Sequence, residues 1–363
     1  MIVERLELID FRNYVSGSFD LTSGTTAIIG GNGHGKTNLA ESLAYLATLS
    51  SFRGAPNDAL VRAGAEQAVI RATIRHDDGQ TTLIEAELVA AGRNRVQVNK
   101  QKLGRVRDLL GSVRVTVFSP DDLTLIKGGP GDRRRYLDDT LVALATKYDA
   151  VRLEVGRILK QRNSLLKQAA GHLTSEIETT LDVWDQKFAE VADQFGYARA
   201  TLVARITPMV QEAYEHLAGT KTPVELTYEP DWRQIGLAAA LEAVRNMDVR
   251  RGVSTVGPHL DELNFRINGL PSRTHASQGE QRTLALALRL AAHQLVTERT
   301  GTAPVLVLDD VLSELDDGRT TALLQHIPPG QVIITTATEL PPAARADRIL
   351  RIEAGRVSGD TAG

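Results

Sequence analysis

The feature that most constrains this chain is a glycine-rich segment between an apolar run and a helical pattern. The apolar run Thr26–Ile29 predicts a strand. Leu39, Leu43 and Leu46 are spaced for one face of a helix. The eight residues between them fit G-x-x-x-x-G-K-[ST] at every fixed position: Gly30, Gly31, Asn32, Gly33, His34, Gly35, Lys36 and Thr37. The sequence therefore predicts a P-loop, in which backbone N–H groups bind phosphate oxygens.

The individual side chains of this loop predict how a nucleotide would be held. Lys36 is expected to reach the β- and γ-phosphates, and the Thr37 hydroxyl to ligate Mg²⁺. Asn38 follows directly and is counted among the nucleotide-binding residues. The alternative interpretation is a glycine-rich turn before an ordinary helix. We favour binding of ATP or GTP, because further motifs fall where such a site needs them.

Composition narrows the class of protein. The chain has 363 residues, 42% of them hydrophobic, and no cysteine, so disulfides and thiolate metal sites are excluded. No apolar run approaches the roughly 18 residues that span a bilayer. The first residues alternate like a strand and differ from a signal peptide, so we expect a cytoplasmic protein without a membrane partner. The net charge of −3 means that any nucleic-acid binding must rest on a local patch.

A second part of the nucleotide site is predicted far downstream. The run Pro304–Leu308 is apolar at every position and ends in Asp309 and Asp310. A run that is apolar on both faces is typical of a buried parallel strand, and ligands of such sheets bind beyond the carboxyl ends of the strands. We expect Asp309 to hold Mg²⁺ and Asp310 to orient or deprotonate the attacking water. A helix N-cap is the alternative explanation for the acidic pair.

Between these motifs, Ser277-Gln278-Gly279-Glu280-Gln281 precedes a strongly helical stretch. Ser277 and Glu280 have the spacing of a capping box. A capped helix N-terminus with an exposed serine hydroxyl and a glycine N–H is also suited to contact a phosphate. The two interpretations are compatible.

This segment resembles the signature motif of ABC-type ATPases, in the S-x-G-E-x form of SMC-like proteins. Ser313-Glu314-Leu315-Asp316 is similar to the D-loop of that family, and Gln331–Thr336 takes the place of its switch strand. The family often has a histidine at the end of that strand, where this chain has Thr335 or Thr336. Asp310 stands where many relatives have glutamate. A shorter base reaches the water less easily, so we expect slow hydrolysis.

The long segment between the P-loop and the signature is predicted to be mainly helical. Apolar positions step by four and three from Leu137 to Leu165, and again from Ile177 to Leu202. Two seams of near-equal length joined through Ala169-Ala170-Gly171 indicate an antiparallel helical hairpin. Two core helices of a separate helical lobe are the alternative.

The remaining patterns complete a domain plan. Residues 66–106 read as an antiparallel meander, Asn268-Gly269 as a hairpin turn, and Arg348–Ile352 as a closing strand. We therefore expect an α/β fold: an ABC-type P-loop ATPase head with an inserted, mainly helical arm lobe. The head is assigned to residues 1–120 and 256–363, and the arm to residues 121–255.

A basic stretch offers a surface for nucleic acid. Residues 93–107 contain several cations and no acid, and five are candidate DNA contacts: Arg93, Arg95, Lys100, Lys102 and Arg105. On a hairpin, Arg93 and Arg95 would share one face while Val96 and Val98 pack on the other. Such a patch neutralises phosphates without reading sequence. A solvated sheet edge protected by cations is an equal alternative.

The order of several motifs over the whole chain resembles the RecF family of bacterial recombination mediators. Besides the ATPase motifs, the resemblance rests on these segments: Phe11-Arg12-Asn13-Tyr14, Phe118-Ser119-Pro120-Asp121-Asp122, Arg133-Arg134-Arg135-Tyr136-Leu137-Asp138, and Gly257-Pro258-His259-Leu260-Asp261-Glu262-Leu263. They cover essentially the full length.

The resemblance implies a DNA-repair ATPase of the cytoplasm and nucleoid that forms a homodimer on ATP and binds double-stranded DNA near gaps and junctions. It implies work with RecR and RecO to load RecA. It also implies that Lys36, Thr37 and Asp309 hold Mg-ATP in one protomer. Ser277, Gln278, Gly279 and Asp316 would complete the site from the partner, and Arg12 would contact the nucleotide or form a surface ion pair.

Two other classes share the head motifs. A transporter ATPase subunit is disfavoured by the long insert and by the S-x-G-E-x signature. A structural SMC-like organiser would need a much longer arm or a hinge than this chain can supply.

Overall fold

The computed structural model describes residues 1–362. The strands are β1 (Ile2–Phe11), β2 (Tyr14–Asp20), β3 (Thr25–Ile29), β4 (Gln67–Arg75), β5 (Thr81–Val89), β6 (Arg95–Val98), β7 (Gln101–Lys102), β8 (Val115–Phe118), β9 (Val224–Thr227), β10 (Asn264–Ile267), β11 (Leu270–Pro271), β12 (Val305–Asp309), β13 (Val332–Thr336), β14 (Arg348–Glu353) and β15 (Arg356–Ala362).

The α-helices are α1 (Lys36–Thr48), α2 (Leu123–Lys127), α3 (Pro130–Leu144), α4 (Lys147–Ala169), α5 (Ser175–Ala218), α6 (Trp232–Ile235), α7 (Leu237–Arg251), α8 (Ser272–His275), α9 (Gln278–Thr300) and α10 (Asp317–Gln325). Within residues 1–362, no helix has both the length and the apolar character needed to cross a membrane.

The chain divides into two compact units. The sheet unit comprises residues 1–122, 215–220 and 285 onward, and the helical unit comprises residues 123–214 and 221–284. The units describe how the chain packs, and the assignment of residues to an ATPase head and an arm stays a prediction.

The sheet unit contains a largely parallel sheet with the strand order β15-β14-β3-β13-β12-β8. Strands β14, β3, β13, β12 and β8 run parallel to their neighbours, and β15 pairs antiparallel with β14. All five residues of β12 and of β13 are buried. The predicted buried parallel strand before Asp309 is thereby confirmed, and its carboxyl end lies next to the carboxyl end of β13.

A second, antiparallel sheet of the same unit has the order β2-β1-β4-β5-β6-β7. Strands β4 and β5 pair from Gln67↔Val89 to Arg75↔Thr81 across the turn that contains Gly79. The meander predicted for residues 66–106 is confirmed. Its alternating apolar residues and the predicted face of α1 belong to one core cluster, which includes Leu39, Leu43 and Ile70. Burial of this shared apolar surface holds α1 and the sheet together.

In the helical unit, the two predicted seams have different outcomes. The second seam lies within one helix, α5. The first seam was predicted to be continuous, and this is wrong: α3 ends at Leu144, and Ala145 is extended with φ −158° before α4 begins. The predicted turn between the seams is confirmed, because Ala170 and Gly171 both have positive φ angles. Val249 of α7 packs with residues of α4 and α5, which favours the helical-lobe alternative.

One position of the first seam is filled by a buried charge rather than by an apolar side chain. Arg162 is fully buried, and its Nε donates to Asp185 Oδ1 at 2.6 Å. Its Nη1 donates to Asp248 Oδ2 at 2.7 Å and to Ser254 Oγ at 2.8 Å. The guanidinium thus joins α4, α5 and α7 in place of apolar packing. Removal of the cation would leave Asp248 buried without an ion pair, and Asp185 would keep only its pair with Arg245.

We predict that Arg162→Ala lowers the free energy of unfolding by about 3–5 kcal/mol, the usual cost of breaking a buried ion pair. Arg157→Ala is the matched control, since Arg157 lies on the same helix and pairs with Glu154 at the surface. Surface pairs contribute little, so the control should unfold like the wild type. Urea titration followed by tryptophan fluorescence measures both, because Trp184 and Trp232 lie in the helical unit. Equal losses in the two variants would contradict the prediction.

Candidate nucleotide site

The P-loop follows β3 and ends where α1 begins, so the predicted strand, loop and helix are confirmed. Gly33 and Gly35 have φ angles of 80° and 115°, which favour glycine. Gly30 has no room for a side chain, because a Cβ would lie 2.3 Å from the carbonyl oxygen of Ile352. Its N–H donates to Thr336 O at 3.2 Å. The loop is therefore fixed against the sheet at its first glycine.

The loop is also held from the start of β2 and from the turn before it, by side chains to which the sequence analysis gave no role. The Tyr14 hydroxyl donates to Gly35 O at 2.9 Å, and Asn13 Nδ2 donates to His34 O at 3.1 Å. Burial raises the pKa of Tyr14, so its hydroxyl remains a donor. These bonds occupy loop carbonyls and leave loop N–H groups for a ligand. The Phe-Arg-Asn-Tyr segment thus supports the P-loop.

Lys36 and Thr37 connect the P-loop to the acidic pair. Lys36 Nζ donates to Gly31 O at 3.2 Å and lies 3.7 Å from Asp310 Oδ2. The Thr37 hydroxyl donates to Asp309 Oδ1 at 3.1 Å. The structure therefore brings the P-loop and the acidic end of β12 into direct contact within the sheet unit, as the sequence predicts.

The environment of Asp309 opposes its negative charge. Burial raises the pKa of Asp309 from its ordinary 3.8 to about 6, while the hydrogen bond from Thr335 acts in the opposite direction. The nearby Asp310 carboxylate raises the pKa further, and Lys36 lowers it. A bound cation would compensate a carboxylate in such surroundings.

Thr335 holds both members of the acidic pair. It lies opposite Asp309 in the parallel ladder and is fully buried. Its hydroxyl donates to Asp309 Oδ1 at 2.7 Å and accepts from the N–H of Asp310 at 3.0 Å. Asp310 needs this support because its φ angle is 52°, in the left-handed region that costs a non-glycine residue energy. One hydroxyl thus orients a carboxylate and a strained backbone.

The residues present fit Mg²⁺. No cluster of three His, Cys, Asp or Glu side chains suited to a metal occurs in residues 1–362. Magnesium is usually held by one or two carboxylates together with phosphate oxygens and water. Asp309 and the Thr37 hydroxyl offer such a partial set. The buried Oδ1 of Asp310 has no hydrogen-bond partner in the described chain, which leaves an acceptor for a water ligand.

Arg12 is engaged within the sheet unit. Its Nε and Nη2 donate to the two carboxylate oxygens of Glu41 at 2.7 and 2.8 Å, and Nη1 donates to Ala59 O. Glu41 is fully buried on α1 and also accepts from the Ser51 hydroxyl. This geometry orients α1, and contact of Arg12 with a nucleotide stays a prediction.

The signature residues Ser277, Gln278 and Gly279 lie at the start of α9, within the helical unit. Ser277 N donates to Glu280 Oε2 at 2.7 Å, and Glu280 N donates to Ser277 Oγ at 3.3 Å. The predicted capping box is confirmed. The Ser277 hydroxyl oxygen accepts the hydrogen bond from Glu280 N, so the hydroxyl hydrogen remains available to a ligand. Gln281 fixes the turn by donating to the carbonyls of Ser272 and Arg273.

The D-loop segment ends in a second helix cap. Asp316 accepts from Arg319 N at 2.8 Å and from Arg319 Nη1 at 2.6 Å, at the start of α10. The carboxylate is therefore a structural cap in the single chain. Its contact across a dimer stays a prediction.

The five basic candidates lie in the β5–β7 region of the sheet unit. Arg95 pairs with Glu87 at 3.0 Å, and Arg105 pairs with Asp108 at 3.0 Å. Val96 is buried on the opposite side of β6 from exposed Arg95, as predicted. Lys100 and Lys102 belong to the β6–β7 hairpin, and Arg93 precedes β6. The acidic partners reduce the positive charge that this surface presents.

The fold and site define a class of protein. A parallel sheet with a P-loop after one strand and a carboxylate pair after another is the arrangement of a P-loop nucleoside triphosphatase. The family model "RecF/RecN/SMC N terminal domain" matches residues 2–357. The chain belongs to this family, which places it among the SMC-like ABC-type ATPases.

Within that class, the chain belongs to the RecF family of DNA replication and repair proteins. It is 43% identical over 351 residues to "DNA replication and repair protein RecF" of Streptomyces avermitilis, with 93% of each chain covered. It is 40% identical over 354 residues to the protein of the same name from Acidothermus cellulolyticus, covering 94% of this chain and 95% of the relative.

Solved structures agree with this assignment. The chain superposes on the "recombination mediator protein RecF-ATP in RecFOR pathway" with a TM-score of 0.91 and 30% identity, covering 99% of this chain and 97% of the other. An Smc head domain from Pyrococcus furiosus gives a TM-score of 0.60 at 17% identity over 99% and 96% of the two chains, a likeness of fold alone.

We predict that Asp309→Asn stabilises the metal-free protein at neutral and alkaline pH. The folded-state pKa lies above the ordinary 3.8, so the stability contributed by protonated Asp309 is complete below about pH 4 and is lost as the pH rises through about 6. The ionised carboxylate then costs at most about 3 kcal/mol, at 1.4 kcal/mol per pKa unit. The asparagine oxygen can still accept from Thr37 and Thr335.

Thermal unfolding in EDTA tests this effect at about pH 8 and at about pH 4.5, on either side of the folded-state pKa. The variant should melt above the wild type at the higher pH, with a smaller difference at the lower pH. A wild type that is the more stable protein at the higher pH would contradict the prediction.

Proposed function

We propose that this protein is an ATP-dependent DNA clamp of recombinational repair. It binds Mg-ATP, dimerises on the nucleotide, retains double-stranded DNA and is reset by slow hydrolysis. The observation that carries the proposal is the contact between Thr37 of the P-loop and Asp309 of β12, which unites the two halves of a nucleotide site. The similarity to a RecF structure described as an ATP complex supports ATP as the nucleotide.

Within one protomer, the P-loop N–H groups and Lys36 bind the phosphates. Thr37 and Asp309 would hold Mg²⁺, which neutralises phosphate charge when bound. When the nucleotide binds, Lys36 Nζ leaves the carbonyl of Gly31 and donates to a phosphate oxygen instead. The buried cation thereby exchanges a neutral acceptor for a negatively charged one. The phosphate-binding N–H groups belong to residues 30–35. Two carbonyls of the same segment, those of His34 and Gly35, accept hydrogen bonds from Asn13 and Tyr14. Asn38 donates to Asn13 Oδ1 at 2.8 Å and supports the same region.

The partner protomer completes the site with its signature residues. Ser277 has an available hydroxyl hydrogen at the N-terminus of a 23-residue helix, and the helix dipole favours negative charge there. Gln278 and Gly279 contribute the first N–H groups of that helix. Asp316 would lie across the dimer seam. The γ-phosphate then joins two protomers, so its presence biases an equilibrium between open and closed forms.

Hydrolysis removes that connection. Asp310 orients or deprotonates the attacking water, and Lys36, 3.7 Å from its carboxylate, stabilises negative charge at the phosphate. Aspartate carries its carboxylate one methylene closer to the backbone than glutamate does. We therefore propose a weak ATPase that serves as a conformational switch.

Family membership supports a proposal for the biological setting. The RecF-ATP structure is described as belonging to the RecFOR pathway. We propose that this chain acts at gaps and junctions with RecR and RecO to help load RecA, in the cytoplasm at the nucleoid. Arg93, Arg95, Lys100, Lys102 and Arg105 are the proposed duplex contacts, and phosphate contacts of this kind weaken as salt rises.

Sedimentation tests the clamp directly. Wild type, Lys36→Met and Ser277→Arg are each run with and without Mg-ATP and a gapped duplex. We predict that ATP produces a wild-type dimer that retains the DNA, and that both variants remain monomeric. Loss of the Lys36 cation removes phosphate binding, and the bulk and charge of an arginine at position 277 block closure. A wild type that stays monomeric with ATP and DNA would exclude this mechanism.

We predict that Thr335→Val lowers ATP turnover by about 10- to 100-fold, the effect of losing a hydrogen bond to a charged group. Valine has nearly the shape of threonine but lacks the hydroxyl that donates to Asp309, and the N–H of Asp310 keeps only the backbone carbonyl of residue 335. Thr335→Ser keeps the hydroxyl and should recover most of the activity. ATP binding in EDTA should be unchanged in both variants, because the P-loop is intact. A serine variant as impaired as the valine variant would assign the loss to packing instead.

We predict that Asp310→Glu raises turnover by up to about tenfold, a small part of the total effect of general-base catalysis. The longer side chain brings the carboxylate closer to the attacking water. Asp310→Asn is the control and should lose hydrolysis while it still binds ATP. Single-turnover kinetics measure the rate of the hydrolytic step separately from product release. A glutamate variant no faster than the wild type would show that the length of the base does not limit the rate.

A further inference from the structure

The sheet unit contains a cleft of about 650 Å³ at the end of α1 opposite the P-loop. Four segments line it: the last turn of α1, the 3₁₀ turn Asn57–Leu60, the loop between β5 and β6, and residues 104–107 after β7. Its volume lies in the range of small-molecule sites. The cleft is separate from the nucleotide site described above.

Positive charge dominates the rim. Arg93, Arg105 and Arg107 line the cleft, against one carboxylate, Asp58. Arg105 forms an ion pair with Asp108, whereas Arg93 is exposed and has no ion pair among the described residues. Guanidinium groups match the geometry of phosphate oxygens and bind them with two parallel hydrogen bonds.

The floor supplies a hydrogen-bond donor that the protein does not use. Tyr45 is 1% exposed and lines the cleft. Its hydroxyl oxygen accepts from Asn94 Nδ2 at 2.9 Å, and Asn94 is oriented because its Oδ1 accepts from Val89 N at 3.0 Å. Within residues 1–362, the Tyr45 hydroxyl donates no hydrogen bond. Burial raises the pKa of Tyr45, so this hydrogen is retained. A buried donor of this kind is available to an acceptor atom of a ligand or to a water that a ligand displaces.

The remaining wall is apolar and consists of Leu49, Val89, Ala90 and Val106. The cleft therefore combines cations at the rim, an apolar wall and one buried donor. We propose that it binds a single nucleotide unit, with the phosphate on Arg93 and its neighbours, the base against the apolar wall, and a base or sugar acceptor on Tyr45. This proposal deepens the proposed action at gaps and junctions, where single strands occur, and rests on it. A duplex is too wide to enter, so the unit comes from a single strand or from a free nucleotide.

Fluorescence anisotropy with two probes distinguishes these sources: a fluorescein-labelled oligothymidylate of about fifteen nucleotides, longer than the cleft requires, and mant-ADP. All proteins carry Lys36→Met, so that the P-loop does not contribute. Tyr45→Phe removes the hydroxyl, which also accepts from Asn94, and Arg93→Gln removes the charge. Arg356→Gln is the matched control, because Arg356 is an exposed cation of the same sheet unit that neither lines the cleft nor belongs to the proposed DNA contacts.

We expect oligothymidylate affinity to fall about tenfold in Arg93→Gln, about fivefold in Tyr45→Phe and less than about twofold in Arg356→Gln. If the variants lose affinity in the same order for mant-ADP but not for oligothymidylate, the ligand is a free nucleotide, and this result also supports the site. The proposal is overturned if neither probe binds. It is also overturned if Tyr45→Phe is unaffected while Arg93→Gln and Arg356→Gln lose affinity equally, since general positive charge alone then explains binding.

A parallel assay separates this result from the fate of the clamp. Retention of closed circular duplex with Mg-ATP is measured on proteins with an intact P-loop. If the wild type retains the circular duplex and both cleft variants bind oligothymidylate with unchanged affinity, the cleft proposal alone is contradicted. Absence of wild-type retention would contradict the clamp, whereas the anisotropy measurements on the Lys36→Met proteins would still decide whether the cleft binds a nucleotide.

Discussion

The carboxyl ends of β3, β13 and β12 meet at one edge of a parallel sheet, and the rest of the structure depends on this convergence. It places Thr37 and Asp309 in contact although 272 positions separate them. Because β3 comes from one end of the chain and β12 and β13 from the other, the sheet forms only when both ends fold together. The intervening chain is free to build a second unit, since long connections cost little additional closure entropy.

The same convergence concentrates charge where burial makes charge costly. Asp309 is held by the hydroxyls of Thr37 and Thr335, and Lys36 is held by a backbone carbonyl. These partners orient the charged groups without neutralising them fully. Phosphate and a cation would complete the neutralisation, so the free energy of ligand binding acts on the strands and loop that form the site. This coupling is what a nucleotide-driven switch requires.

The parts of the fold that could be predicted from sequence are those encoded in local patterns. The P-loop, the buried strand before Asp309, the meander and the capping box at Ser277 each have a short-range signature. The support of the loop by Tyr14 was missed because it depends on contact between separate elements. The break at Ala145 was missed because heptad spacing continues across it. Periodicity placed Arg162 in an apolar seam but could not show that carboxylates from α5 and α7 surround it.

Mixing two inactive variants tests the central claim, a nucleotide site shared between protomers, most directly. A heterodimer of Lys36→Met with Ser277→Arg contains one site with both the intact P-loop and the intact signature, whereas either homodimer contains none. We predict that the mixture with Mg-ATP retains closed circular duplex DNA, while each variant alone does not. If the mixture retains no more DNA than the separate variants, although wild type does, the signature does not close the site from the partner.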